Sequence, residues 1–293
     1  MRDLRSLGAL ASVPQRRNFA TLLEFLGAPA LPGKTLHRLP LGHSAGSVWP
    51  SPEPMRTTLR LLGVCFPTAF AVSNAATPPV ASFAAERNAM VREQIEARAV
   101  KDPAVLGALR RVPRHEFVPA AMRPHAYADR PLPIGEGQTI SQPYIVAFMT
   151  ELLEVRPGQR ILEIGTGSGY QAAILAELGV EVYTIEIVER LAMTARALLE
   201  RLGYTNVHVR AGDGYGGWPE FAPFDRIIVT AAPPRLPQPL IDQLKPGGRL
   251  VVPEGEHDQD LVLYTKTNDG KLRREKVLPV RFVPMTGQAQ KKQ

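Results

Sequence analysis

Leu162-Glu163-Ile164-Gly165-Thr166-Gly167-Ser168-Gly169-Tyr170-Gln171 decides the fold: an apolar strand runs into three alternating glycines and then into a helix. Glycine permits a tight turn and lets a ligand approach the backbone, while the helix start offers unpaired N–H groups. Alone, such a turn serves dinucleotides, flavins, other nucleotides or plain structure equally well. Its meaning rests on what surrounds it.

Working outward, apolar patterning predicts strands over Arg160–Ile164, 181–187, Val207–Ala211, 224–231 and 248–252, with helices over 170–178, 188–202 and 239–244 between them. A hairpin of 260–267 and 271–283 turns at Asn268-Asp269-Gly270. Strands alternating with helices imply a mostly parallel, doubly wound Rossmann-like sheet, and the hairpin adds an antiparallel pair at its end, seven strands in all. Upstream, 86–99 and 103–110 have helical spacing and form an N-terminal helical cap, and 113–143 reads as a Pro-rich connection. Ser141 reads as the N-cap of a helix whose apolar residues Ile145, Phe148, Met149, Leu152 and Leu153 share one face.

Two acids sit where such a sheet presents its ligand edge. Glu186 ends the second strand about 20 residues past the glycines, where a carboxylate can accept from both ribose hydroxyls. Asp213, in Gly212-Asp213-Gly214 after the third strand, can accept from an adenine amino group or simply serve a turn. A nicotinamide enzyme would need a substrate domain with a proton donor, whereas this chain offers only a hairpin and a short tail after its fifth strand. The GxGxG spacing, and Leu244-Lys245-Pro246-Gly247-Gly248-Arg249-Leu250 before that strand, look like the class I methyltransferase plan.

Bulk properties narrow the classes. The chain has 293 residues, 44% hydrophobic and 22% charged, as in ordinary globular proteins. Its net charge of +7 is unevenly spread: residues 1–85 carry eight Lys/Arg and three Asp/Glu, the rest 27 and 25. A nucleic-acid enzyme should carry its excess on the folded domain, so no nucleic-acid partner is expected. The single cysteine, Cys65, excludes an internal disulfide and a multi-cysteine zinc site, and no metal is expected. No apolar run approaches the roughly 20 residues of a membrane span, which predicts a soluble body without stable membrane association.

Within the extension 1–85, residues 55–76 have the order of a secretory signal peptide: Arg56 and Arg60, an apolar run over 61–72, then Ser73-Asn74-Ala75. That reading requires translation to begin at Met55. A weakly amphipathic leader is the alternative, and 76–85 reads as a linker. The methyl donor of class I methyltransferases is made in the cytosol, which favours cytoplasmic residence over the periplasm that a signal peptide would imply.

The folded body, 86–288 with a 289–293 tail, resembles the protein-L-isoaspartate O-methyltransferase family over about 200 residues. The resemblance is carried by Val112-Pro113-Arg114-His115-Glu116-Phe117-Val118-Pro119, Ala126-Tyr127-Ala128-Asp129, Pro131-Leu132-Pro133-Ile134-Gly135, Gln138-Thr139-Ile140-Ser141-Gln142-Pro143, the glycine loop, Gly212-Asp213-Gly214 and Phe224-Asp225-Arg226-Ile227-Ile228-Val229-Thr230-Ala231-Ala232. The Thr-Ile-Ser-x-Pro segment is its most specific part. The resemblance implies Ser141 as the active-site residue, with Thr139, Ile140, Gln142, Pro143 and Tyr144 lying between S-adenosyl-L-methionine and substrate. It implies that Glu163, Gly165, Gly167, Gly169, Glu186, Asp213 and Gly214 hold the cofactor, and that Thr286 belongs to a C-terminal segment folded back over it. The partners implied are isoaspartyl-containing proteins and peptides, met by a monomer. A class I enzyme for another acceptor, a small molecule or RNA, would keep the glycine loop and Glu186 without needing 139–143. A non-catalytic cofactor-binding module is the remaining alternative.

Overall fold

The described residues of the structure, a computed structural model, are 80–291; the signal-like stretch 55–76 and most of the extension lie outside them. Helix α1 (Val80–Ala89) continues into a π-helical turn, Met90–Ile95, and a 3-10 turn, Glu96–Arg98. The helix therefore begins ahead of Glu86. A boundary at 85/86 passes through it, and 80–85 is not linker: Phe83 is buried and stacks on His115 with ring centroids 4.1 Å apart. Helix α2 (Pro103–Arg111) follows, its N-cap Asp102 accepting from the Ala104 and Val105 N–H groups with proline just inside the start.

The Pro-rich connection over 113–143 is more structured than its composition suggests. It holds 3-10 turns at Arg114–Phe117 and Ala120–His125, then a hairpin of β1 (Leu132–Gly135) and β2 (Gln138–Ile140). The hairpin turns through Gly135, Glu136 and Gly137, all at positive φ. Helix α3 (Pro143–Leu153) corrects a second expectation. Its N-cap is Gln142, not Ser141, and no side chain caps it. Proline favours the first helical position, so Pro143 sets the cap at the residue before it.

The main sheet is built from β3 (Arg160–Ile164), β4 (Glu181–Glu186), β5 (Val207–Ala211), β6 (Phe224–Val229), β7 (Leu244–Glu254), β8 (Gln259–Lys266) and β9 (Leu272–Val280). Their order is β5-β4-β3-β6-β7-β8-β9. β3 to β7 are parallel, β8 runs antiparallel to β7, and β9 to β8. This is the Rossmann-like, seven-stranded sheet with a terminal hairpin that the alternation predicts. Helices α4 (Tyr170–Ala176), α5 (Glu189–Arg201) and α6 (Gln238–Asp242) connect the parallel strands.

Side chains alternate across each strand, so the sheet builds a core on both faces. Ile161, Val182, Ile228 and Val251 pack with Leu109, Val146, Met149 and Ala173 on one face. Leu162, Ile164, Ile185, Ile227 and Leu250 pack with Leu240 and Met285 on the other. The outer strand β9 exposes Arg273, Arg274, Glu275 and Lys276, charges that discourage pairing with another chain.

Beyond β9 the chain returns to the sheet. Ala232 N–H donates to Val283 O (2.8 Å) and Met285 N–H to Ala232 O (2.7 Å), and α7 (Gln288–Lys291) closes the fold. The division at 288/289 cuts this helix, in which Ala289 is buried.

Candidate active site

Ligands of open α/β sheets bind beyond the carboxyl ends of the strands, where the winding reverses. Here the reversal lies between β3, whose helix leads out toward β4 and β5, and β6 on its other side. A cleft of about 820 Å³, open to solvent, occupies that place. Its lining includes Thr139, Ile140, Ser141, Gly165, Gly167, Glu186, Asp213, Gly214 and Thr286, nine of the residues singled out in the sequence.

One wall is the glycine loop. Gly165 sits at φ 98, open to glycine and strained for other residues, and a side chain there would collide with the Thr230 hydroxyl. That hydroxyl donates to Gly165 O at 2.7 Å, tying the loop to the end of β6. Glu186, only 5% exposed, accepts from Gly167 N–H (2.8 Å) through one oxygen and from Val188 N–H (3.0 Å) through the other. Each oxygen keeps a lone pair, so the carboxylate both braces the loop and can accept from a ligand.

Asp213 is more heavily committed than a ligand acceptor alone would be. It accepts from Tyr215 N–H at 2.9 Å and from Gln288 N–H at 2.8 Å, so it pins the C-terminal segment beside the cleft. Val283, Pro284, Met285 and Thr286 of that segment line the cleft, as do Ile187 at its exposed mouth, Tyr170 and Gln171.

The opposite wall is the end of β2. Ser141 is half-buried, and its hydroxyl makes no hydrogen bond among the described residues. Its carbonyl accepts from Arg114 Nη2 at 2.6 Å. Arg114 is wholly buried, donates through Nε to Ala126 O (2.8 Å), and lies 4.7 Å from the centroid of the Tyr170 ring.

Five expected site residues lie outside the cleft lining. Gln142 donates to Asp129 O (3.2 Å), and Pro143 is buried as the first residue of α3. The Tyr144 ring lies under the Arg98 guanidinium, 3.8 Å from its centroid, and stacks on Phe148. Gly169, the N-cap of α4, lets that helix approach Leu199 of α5. Glu163 is 0% exposed behind the loop. Neither of its oxygens makes a hydrogen bond of ordinary geometry, although the Thr184 hydroxyl is close enough to temper its ionisation. Burial pushes this carboxyl up to about 8.

Sequence reasoning did not single out Thr230, Tyr170, Gln171 or Arg114 for the site. Arg114 and Thr230 fall within the resembling stretches, but nothing in their spacing marks one as a buried cation and the other as a brace for the loop. The lining residues include no His, Cys or Lys. Its titratable lining residues are Glu186, Asp213 and Tyr170.

Comparison with known proteins supports one family. Residues 85–290 match the family model of protein-L-isoaspartate(D-aspartate) O-methyltransferase. The chain is 59% identical over 199 residues to a protein-L-isoaspartate O-methyltransferase of Gloeobacter violaceus, covering 67% of this chain and 97% of that one. It is 57% identical over 215 residues to one of Picosynechococcus, covering 72% and 96%. A solved protein-L-isoaspartate O-methyltransferase superposes with a TM-score of 0.63 at 32% identity, over 69% of this chain and 67% of that one. A candidate Plasmodium falciparum member, solved with S-adenosyl-L-homocysteine, does so at 0.61 and 25%, over 68% and 98%.

Proposed function

The chain belongs to the protein-L-isoaspartate(D-aspartate) O-methyltransferase family, and from that premise we infer its activity: it methylates the free carboxylate of L-isoaspartyl residues in damaged proteins, using S-adenosyl-L-methionine. One observation carries the assignment of the site. Ser141, whose hydroxyl has no hydrogen-bond partner among the described residues, lines the same cleft as the glycine loop, and that lining holds no His, Cys or Lys.

The residues fit the cofactor. Glu186 has acceptor capacity left for ribose hydroxyls, the loop exposes main chain, and Ile187 offers apolar surface at the mouth. Gly165, Gly167, Gly214 and Thr286 complete the holding surface, and Asp213 keeps the C-terminal segment beside it. Bound there, S-adenosylmethionine supplies an electrophilic methyl group on a sulfonium.

An isoaspartyl α-carboxylate, with an ordinary pKa near 4, is already ionised at neutral pH, so the enzyme needs no general base. Its task is to align the carboxylate and exclude water, positioning that can contribute roughly 7–11 kcal/mol. Ser141 holds the carboxylate by donating its hydroxyl. The substrate enters as an extended segment read mainly through its main chain, which makes recognition broad. The neighbouring backbone nitrogen attacks the ester carbonyl and expels methanol, giving a succinimide without further help from the enzyme, and water opens this ring in part to normal aspartate.

Ser141→Ala should lower kcat/KM for an isoaspartyl peptide about 10- to 100-fold, the range of one hydrogen bond to a charged group. Because Ser141 caps no helix, unfolding free energy should change by less than about 0.5 kcal/mol. The normal aspartyl twin of the peptide is the control, and an unaltered rate on the isoaspartyl form would refute the role. We further propose that the enzyme works as a cytoplasmic monomer. N-terminal sequencing from fractionated cells and sedimentation of the purified chain test those two points.

A further inference from the structure

Arg114 has no part in the chemistry so far, yet its burial is expensive. A guanidinium cannot shed its proton at any ordinary pH, and an ion removed from water without a counter-charge costs several kcal/mol. Among the described residues no carboxylate lies within ion-pair distance of it; Asp129, the acid that most influences it, is paired with Arg98 at 2.6 Å. Nη1 makes no hydrogen bond of ordinary geometry, although the Tyr170 hydroxyl is close enough to favour the charged form, and Nε and Nη2 are spent on two main-chain carbonyls, those of Ala126 and Ser141.

The second carbonyl is where such a tether is needed. β2 is three residues long and belongs to a two-stranded hairpin, so its end has little ladder to hold it. Pro143 contributes no N–H, and α3 has no side-chain cap. The Ser141-Gln142 link is otherwise held on its Gln142 side, where the side-chain amide donates to Asp129 O at 3.2 Å and the carbonyl accepts from Val146 N–H at 3.1 Å. A charge-assisted bond at 2.6 Å, donated from a guanidinium wedged over the Tyr170 ring, fixes the Ser141 side.

We propose that Arg114 is a positioning residue for the methyl acceptor, acting through the Ser141 carbonyl to hold the Ser141 hydroxyl where the substrate carboxylate arrives. This rests on the reading of Ser141 given above. The guanidinium touches neither substrate nor cofactor, since Arg114 does not line the cleft.

The test uses the full chain with Arg114→Gln, Arg114→Lys, Ser141→Ala and the Arg114→Gln/Ser141→Ala double variant. Steady-state kinetics with an isoaspartyl peptide are set beside calorimetric binding of S-adenosylhomocysteine. Arg114→Gln should lower kcat/KM for the peptide about 10- to 100-fold, while S-adenosylhomocysteine affinity stays within about twofold. Arg114→Lys, keeping the charge without the fork, should recover part of the loss. In the Ser141→Ala background, Arg114→Gln should cost less than about threefold more, because its effect passes through the missing hydroxyl.

Equal losses of peptide turnover and S-adenosylhomocysteine affinity would mark a general structural defect and overturn the proposal, as would full additivity in the double variant. If Arg114→Gln does not fold, Arg114→Lys carries the test, and an unaltered peptide kcat/KM in that variant overturns it. A normal Arg114→Gln enzyme beside an impaired Ser141→Ala enzyme removes this proposal alone. A normal Ser141→Ala enzyme removes the Ser141 reading, and this proposal with it.

Discussion

The two walls of the cleft are braced by opposite charges. On the glycine-loop side, Glu186 gathers the N–H groups of Gly167 and Val188, and Glu163 lies buried behind them. On the serine side, Arg114 gathers the carbonyls of Ala126 and Ser141. On the function proposed above, an acid that organises donors suits the wall that would face a sulfonium and ribose hydroxyls, and a cation that organises acceptors suits the wall that would face a carboxylate. The walls also differ in how they bear an unpaired charge. Glu163 can take up a proton and Arg114 cannot, so only the first should make stability depend on pH.

That asymmetry gives the largest expected effect. Glu163 ionises near 8 in the fold and at its ordinary value of 4.5 when unfolded, burial being the main cause. The native state therefore holds a proton that the unfolded chain has lost between those values. Stability is full below the lower value and falls as pH rises through the upper one. Glu163→Gln cannot ionise and should escape the loss. Its advantage over the unsubstituted chain should grow from near zero at acid pH to about 3–5 kcal/mol above pH 8. Denaturant unfolding at several pH values measures this, and a difference that does not vary with pH would show that Glu163 finds a partner in solution.

Glu186→Gln probes the same wall at its surface. One of the two N–H groups now accepted by the carboxylate would face an amide NH2, a loss of about 1–3 kcal/mol for a buried donor. S-adenosylhomocysteine affinity should fall accordingly, about 10- to 100-fold. The peptide KM, which the proposed function assigns to the serine wall, should change less. Equal losses on both sides would mean that the walls are not independently braced.

The two walls were not equally legible in the sequence. The loop, the five parallel strands and the terminal hairpin follow from glycine spacing and apolar patterning, which are local signals. The serine wall hides behind Pro131, Pro133, Gly135 and Gly137, whose composition reads as connection although Gly135 and Gly137 make a hairpin turn. Ser141 has the composition of a cap, but Pro143 carries the corrective signal and sets the cap at Gln142. Arg114 lies in a stretch that carries the family resemblance, but nothing there marks its burial, because a buried cation held by carbonyls depends on where distant main chain comes to lie. Glu163 is intermediate: an acid in the middle of a doubly covered strand must be buried, but whether it finds a partner depends on the neighbouring strands.

The smallest effect separates the walls from their surroundings. Tyr144 follows Pro143 in the most family-specific segment, which is why its sequence places it near the cofactor. In the fold its ring lies outside the cleft lining, with the Arg98 guanidinium 3.8 Å from its centroid and Phe148 stacked on it at 5.6 Å. Arg98 is in turn paired with Asp129, whose carbonyl takes the Gln142 amide. Tyr144 thus secures the helical cap against α3 without reaching the cleft. Tyr144→Leu should lower unfolding free energy by about 1 kcal/mol, the size of a partly exposed cation–π contact together with an aromatic stack. S-adenosylhomocysteine affinity should remain within about twofold, measured by the same calorimetry. A tenfold loss of affinity, with stability intact, would instead put this ring in contact with the cofactor and shift the serine wall one residue deeper into α3.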